Sequence, residues 1–321
     1  RFAEKVGSEE RLAELYLLTL CDTAMTAPDN LSAWKDGLLR ELMLRARAYF
    51  RGETSPSPTS DGERDELRDR ITAQLEDAPE ARRIVDSIDP RLLAQLTVRQ
   101  VVRHAKLAAT AANPRVALEV HCYPMKGHSE LAIVAPDKPG VLAAIAGVLG
   151  ANRLDVLGAI LGHTEGGHTK ATPGLVLDVF FVRDLKGEAI AEDDPRWPRL
   201  LGDLRELVSG GGSAADLIAR RRPKSTLPPR VTPSIATEIK IHDDSTQATI
   251  VEVATRDRVG VLFAITQTLA ELGLDISLAK VSTEGEKVAD VFYVTRAGER
   301  LTDATERAQL IARLQTAVED V

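Results

Sequence analysis

The sequence predicts an α+β protein in which two similar units follow an all-helical segment. Three observations support this prediction. Apolar residues recur at helical spacing between residues 1 and 110, short β-rich runs alternate with helices beyond Pro114, and this second part contains an internal repeat. A chain of 321 residues with 44% hydrophobic side chains is long enough to form two or three packed domains.

Two stretches rich in Gly, Pro and Ser mark the expected boundaries. They are GETSPSPTSDG, at 52–62, and the segment 222–235, which contains RPKSTLPPRVTP. The predicted parts are a helical segment at 1–51, a helical connector at 63–112, a first α+β unit at 113–221 and a second at 236–321.

Composition excludes several classes of protein. A net charge of -7 and 4% aromatic residues give no broad positive surface for nucleic acid or anionic membrane. Cys21 and Cys122 lie far apart, which argues against a disulfide framework or a thiolate metal site. We therefore expect a cytoplasmic protein with small-molecule or protein partners. Because the sequence begins with Arg inside a helical pattern, we also expect a fragment of a longer protein.

The internal repeat superposes residue n on residue n+120. Asp137 then falls on Asp257, and APDKPGVLAAIAGVLG falls on TRDRVGVLFAITQTLA. Each copy is predicted to run strand, turn, helix, strand, strand, helix, which is a βαββαβ unit without its last strand. Each first helix carries one apolar stripe and is expected to lie on its own sheet.

The acid and the glycine of each turn allow two interpretations. Asp137 and Asp257 could be helix N-caps, with Gly140 and Gly260 permitting a tight turn. Alternatively, the turn could expose backbone N–H groups to a carboxylate while the aspartate binds an ammonium group. The second interpretation describes a pocket for a free amino acid, and both stay open.

The two copies resemble ACT domains, which are ligand-sensing modules with a ferredoxin-like βαββαβ fold. Their motif D-x-P-G-V-L is matched at 137–142 and, with Val259 in place of Pro, at 257–262. The resemblance implies a regulatory role in which the ACT pair binds an amino acid.

Longer stretches are similar to the family of bifunctional uridylyltransferase and uridylyl-removing enzymes. DRVGVLFAITQTLAELGLDISLAKVSTEGEKVADVFYVT resembles their C-terminal ACT domain, and VVRHAKL resembles the segment that leads into the first one. LYLLTLCDTAMTAP followed by WKDGLLRELM resembles the end of their HD-type phosphohydrolase domain. By this resemblance, residues 1–51 are the C-terminal helices of a truncated HD domain.

The family implies a function for the whole enzyme. Its members uridylylate the PII signalling protein at low glutamine and deuridylylate it at high glutamine, with divalent Mg or Mn in catalysis. Neither catalytic motif is complete in this chain, so the fragment itself is expected to be inactive and to need no cofactor. Asp22 is expected on the inner face of an apolar helix, where it resembles the last metal ligand of the HD set; the other ligands are missing.

Glutamine is the expected ligand. Its α-carboxylate would bind the backbone of one turn, and its α-ammonium an aspartate of that turn, with help from Asp155 or Asp275 of a facing unit. The candidate turn residues are Asp137, Gly140, Val141 and Leu142 in the first copy and Asp257, Gly260, Val261 and Leu262 in the second. Two alternatives stay open: a stand-alone amino-acid-binding regulator, and a structural module whose ACT sheets join subunits in a homodimer.

Overall fold

The computed structural model describes residues 2–26, 33–51, 61–88, 90–93, 96–111, 115–164, 174–221, 235–243, 248–281, 283–284 and 287–321. The helices in these ranges are α1 (Phe2–Val6), α2 (Glu9–Thr26), α3 (Ala33–Phe50), α4 (Asp61–Thr72), α5 (Pro79–Ser87), α6 (Pro90–Leu93), α7 (Val98–Thr110), α8 (Val141–Ala151), α9 (Arg196–Val208), α10 (Ala214–Arg221), α11 (Val261–Glu271) and α12 (Ala304–Glu319). The strands are β1 (Ala117–Tyr123), β2 (His128–Pro136), β3 (Asp155–Ile160), β4 (Leu175–Arg183), β5 (Glu238–His242), β6 (Thr249–Arg256), β7 (Asp275–Lys280), β8 (Thr283–Glu284) and β9 (Lys287–Thr295). None of the described helices has the length and apolarity that crossing a bilayer requires.

Helices α1 to α3 form a small N-terminal group. Their buried apolar side chains are Ala3, Leu12 and Ala46. Glu9 of α2 ties the group together through ion pairs with Arg47 and Arg51, at 2.6 and 2.9 Å. These helices correspond to the predicted helical segment, whereas the predicted linkers at 52–62 and 222–235 lie almost wholly outside the described residues.

Helices α4 to α7 form the connector, which packs on one face of the first sheet. The side chains of alternate β4 residues lie on this face and are buried together with those of the connector; they include Leu177, Val179 and Phe181. Helix α7 begins with a capping box, in which Thr97 Oγ1 accepts from the Gln100 backbone N–H and the Gln100 side chain accepts from the Thr97 N–H. The connector therefore shares a core with the first unit.

The rest of the chain forms the two predicted α+β units. The first unit (β1 to α10) has an antiparallel sheet in the order β1-β2-β4-β3, and the second (β5 to α12) has the order β5-β6-β9-β7, with β8 beside β9. The predicted fold class is confirmed: α+β, ACT-like, with a helical N-terminal segment.

One detail of the strand sequence differs from the prediction. The edge position beside β2 and β6, which the missing last strand of a βαββαβ unit would occupy, is filled by β1 and β5, which come before them in the chain. Each unit therefore runs ββαββα. An antiparallel edge can be completed by a strand that arrives from either end of the unit, because only its direction must fit.

The internal repeat is confirmed by element positions. Helices α8 and α11 begin at residues 141 and 261, and strands β3 and β7 at 155 and 275, an offset of 120 in both cases. The pairing register also shifts at matching places, between Val156 and Gly158 and between Ile276 and Leu278.

The two units contact each other within the chain. Helix α8 packs against α11, and edge strand β3 approaches β7. Their buried apolar residues form one continuous core. Gly150, near the end of α8, approaches the second unit so closely that a Cβ there would lie 3.7 Å from Gly260 N. The turn before α11 is thereby placed beside the end of α8 and the start of β3.

Candidate functional site

A cavity of about 190 Å³ lies where the two units meet. The first unit contributes the start of β3, at Asp155 and Val156, and the second contributes residues 257–263, which form the turn and the first residues of α11. The remaining lining residues are Ala146, Leu149, Gly150, Leu154, Leu185, Val281, Val288 and Asp290. The cavity thus combines an apolar wall with a few polar groups, as small-molecule sites commonly do.

The turn before α11 presents backbone to the cavity. Gly260 is the N-cap with a φ of 102°, which glycine adopts without steric cost, and no side chain caps the helix. The first amides of a helix have no acceptor within it. One of them, Val261 N, donates back to Arg258 O at 3.1 Å. The positive end of the helix dipole therefore lies at the cavity, an arrangement that suits a carboxylate.

Asp137 and Asp257 are not helix N-caps. The N-caps of α8 and α11 are Gly140 and Gly260, three residues after each aspartate. Pro139 also precedes the helix. The capping interpretation is wrong because a hydrogen-bonded turn separates each aspartate from its helix: Val141 N donates to Lys138 O and Val261 N donates to Arg258 O. The positive φ of each glycine permits this turn.

Asp257 is a partly buried carboxyl group beside a second one. Burial raises the pKa of Asp257, and the negative charge of Asp155 raises it further, while the Arg183 charge opposes the shift. Arg183 Nε donates to Asp155 Oδ2 at 2.7 Å and so fixes the position of Asp155. A cation between Asp155 and Asp257 would relieve their repulsion, so this wall of the cavity favours an ammonium group.

Two polar cavity residues were missed by the sequence reasoning. Arg258 donates through Nη2 to Val318 O at 2.9 Å, and its buried Nε–H has no acceptor within the described part of the chain. Asp290 is only 1% exposed on β9. A signal for Asp290 was present: both repeats place one aspartate in an apolar strand, LVLDVFFV and KVADVFYV.

The cavity brings together about half of the predicted ligand residues. Asp155 and Asp257 line it, and so do Gly260, Val261 and Leu262. The cavity lining does not include Asp137, Gly140, Val141, Leu142 or Asp275. Asp137 and Asp275 are both exposed.

Asp22 does not lie on a buried helix face. It is exposed on α2, and Leu15 and Leu18 on its side of the helix are 42% and 67% exposed. The interpretation of this face as an inner one is therefore wrong within this structure. Among the described residues, no three His, Cys, Asp or Glu side chains are grouped so that they could hold a metal ion.

Comparisons with known proteins agree with this architecture. Residues 244–321 match the family model described as the ACR family N-terminal ACT domain. Over 99% of its length the chain is 32% identical to the bifunctional uridylyltransferase/uridylyl-removing enzyme of Caulobacter vibrioides and 31% identical to that of Rhodospirillum rubrum. The chain spans 33% of the length of each of these relatives.

A similar solved structure is the aspartate kinase from Synechocystis. It aligns with 61% of this chain and 27% of its own, with a TM-score of 0.33 and 17% identity. Similarity at this level carries no argument about function.

Proposed function

We propose that this chain, which is similar along nearly its whole length to bifunctional uridylyltransferase/uridylyl-removing enzymes, is the glutamine-sensing regulatory region of such a cytoplasmic enzyme. The complete enzyme would uridylylate PII at low glutamine and deuridylylate it at high glutamine. The observation that carries the proposal is the cavity between the two units, which is lined by the carboxyl groups of Asp155 and Asp257 and by the N-terminus of α11.

These two kinds of polar group match the two charges of a free amino acid. The α-carboxylate would accept hydrogen bonds from backbone amides at the start of α11 and from Arg258 Nε–H. The α-ammonium would donate to Asp257, with Asp155 beside it. Charged hydrogen bonds of this kind contribute about 1.5–3 kcal/mol each. Both units supply part of the site, so ligand binding would favour one arrangement of the two units.

The exposed face of the N-terminal helices also supports a regulatory region within a larger enzyme. Eight large apolar side chains of α1 to α3 are exposed: Phe2, Leu15, Leu17, Leu18, Met25, Leu42, Leu44 and Tyr49. Apolar surface of this extent usually marks a protein contact. We propose that this surface packs against the phosphohydrolase part of the complete enzyme. Asp22 would then add a single ligand to the metal-binding residues of that part.

Isothermal titration of the chain with glutamine and glutamate tests the proposal. Glutamine is expected to bind about tenfold or more tightly than glutamate, because glutamate would bury an additional negative charge beside Asp257. If neither glutamine nor any other amino acid binds, the alternative of a structural ACT module is favoured instead.

The matched variants Asp257→Asn and Asp137→Asn locate the site. Asp257→Asn should weaken glutamine binding about tenfold by weakening the ammonium contact. Its melting temperature should not fall, because the charge of Asp257 is opposed by burial and by Asp155. Asp137 lies outside the cavity, so Asp137→Asn should bind normally. The reverse pattern would place the site in the first unit.

A further inference from the structure

We propose that Arg258 links the amino-acid site to the last turn of α12, so that ligand binding stabilises that turn. This inference rests on the proposed function, in which Arg258 Nε–H binds the α-carboxylate of the ligand. It concerns how the bound state reaches the rest of the second unit. It also adds to the site a third element, α12, none of whose residues lines the cavity.

Arg258 already holds the end of α12. Its Nη2 donates to Val318 O at 2.9 Å. Because α12 ends at Glu319, Val318 O is one of the last carbonyls of the helix, which have no amide partner within it. A cationic donor at this place satisfies the carbonyl and complements the negative end of the helix dipole. Arg258 therefore caps α12 from the turn that precedes α11.

The end of α12 also packs directly on this turn. Val318 is 0% exposed, and Val321 packs against the same core. A Cβ at Gly260, which lines the cavity, would lie 3.5 Å from Val321 Cγ1. The turn before α11 therefore contacts the cavity on one side and the end of α12 on the other.

The Nε–H group of Arg258 is the donor that stays available for a ligand. Its nitrogen is buried, and no atom in the described part of the chain accepts a hydrogen bond from it. A guanidinium remains protonated in proteins, so this group is always a donor. A buried donor without an acceptor is unfavourable, and a ligand carboxylate in the cavity would supply the acceptor.

The planar guanidinium couples the two contacts. Nε and Nη2 belong to one rigid group that presents its donors in a fixed fork. A carboxylate bound to Nε would fix the orientation of this group and hold Nη2 toward Val318 O. Each contact then strengthens the other, because such coupling is reciprocal. Lysine, which the first unit has at the equivalent position as Lys138, carries a single rotatable ammonium and cannot form this fixed pair.

Hydrogen exchange of the whole chain, measured with and without glutamine at a concentration that titration shows to be saturating, tests the link. The amides of 316–320 report on the last turn, where Asp320 N donates to Thr316 O at 3.1 Å. We expect glutamine to slow their exchange about fivefold or more. The amides of 304–308, at the opposite end of α12, are the internal reference and should not change. No slowing at 316–320, or equal slowing at both ends, overturns the proposal.

Two reciprocal variants, measured without ligand, test the contact itself. Arg258→Lys should speed exchange at 316–320 about threefold or more, because it weakens the hydrogen bond to Val318 O. Lys138→Arg is the matched control and should change nothing there, since Lys138 is exposed on the first unit. Thermal melting verifies that both variants fold, and unchanged exchange in Arg258→Lys contradicts the proposal.

The outcomes separate this inference from the proposed function. If wild type binds glutamine and the exchange results fail, only the link through Arg258 is lost. If wild type binds no amino acid, the proposed function fails and the link fails with it.

Discussion

Asp178 shows how the fold changes the chemistry of a single residue. Burial raises the pKa of its carboxyl group to about 8, against the hydrogen bond from Gly162, and the nearby charge of Asp137 adds to the rise. At neutral pH the folded chain therefore keeps this group protonated, whereas the unfolded chain ionises it. Asp257 shifts in the same direction for related reasons, burial and the charge of Asp155.

Asp178→Asn is expected to flatten the pH dependence of stability. Below pH 3.8 both states hold the proton, and between 3.8 and about 8 only the folded state does. The free energy of unfolding therefore falls as the pH rises across this window, by about 1.4 kcal/mol per pH unit for one proton. Urea unfolding at pH 5 and pH 7 should show this fall in wild type and less of it in Asp178→Asn.

The exposed neighbour serves as the control for this measurement. Asp137→Asn also removes a carboxylate, but Asp137 is exposed. This variant should therefore retain most of the wild-type dependence of the unfolding free energy on pH. Identical slopes in wild type and Asp178→Asn would show that Asp178 is ionised in the folded chain.

At the scale of elements, α8 is the central contact of the molecule. It packs on α10 of its own unit and on α11 of the second unit. Gly147 permits both contacts, since a Cβ there would lie 2.4 Å from Ala214 Cβ and 3.1 Å from Phe263 Cδ2. A small residue in mid-helix therefore sets how closely the two units approach, and with it the shape of the cavity.

Gly147→Ala is expected to lower stability by about 1–3 kcal/mol, because overpacking outweighs the better helix propensity of alanine. Gly202→Ala in α9 is the matched control, since no atom lies within 4 Å of the position of its Cβ. It should raise stability by about 0.5–1 kcal/mol. Thermal melting of both variants distinguishes them. Equal shifts in melting temperature would mean that α8 moves away from α10 and α11 without an energetic cost.

At the scale of the whole molecule, a buried charged cluster joins the connector to the first α+β unit. Gln100 Nε2 donates to Glu130 of β2 at 3.0 Å, and Arg103 of α7 also pairs with Glu130. Arg103 Nε lies 2.8 Å from Glu119 Oε2 on β1. The side chains of Arg103 and Glu130 are 17% and 4% exposed. This cluster therefore fixes α7 on the outer face of the first sheet.

Glu130→Ala is expected to lower the free energy of unfolding by about 3 kcal/mol, because it removes the acceptor of Gln100 and leaves buried Arg103 with only one of its two charge partners. Hydrogen exchange of the α7 amides should accelerate at the same time. Arg83→Ala, in the exposed Arg83–Glu80 pair of α5, is the control and should cost less than about 1 kcal/mol. Similar costs for the two would mean that the cluster does not hold the connector in place.

Local patterns in the sequence were sufficient for the fold class and the repeat. Strand alternation, helical stripes and the offset of 120 residues depend on near neighbours along the chain, and α8, α11, β3 and β7 lie where those patterns predicted. The turn residues Asp257 and Gly260 were also found in this way. The ligand, the PII partner and the role of Asp22 in a metal set stay predictions.

Only the tertiary structure decided which candidate residues share one site. The sequence treated the two turns as equivalent, but packing of α8 on α11 placed the second turn beside Asp155 and left Asp137 and Asp275 exposed. It also decided that β1 and β5 complete the sheets, and it brought Arg258 and Asp290 to the cavity. These outcomes depend on contacts between distant segments, whose balance of burial, charge and packing no local pattern records.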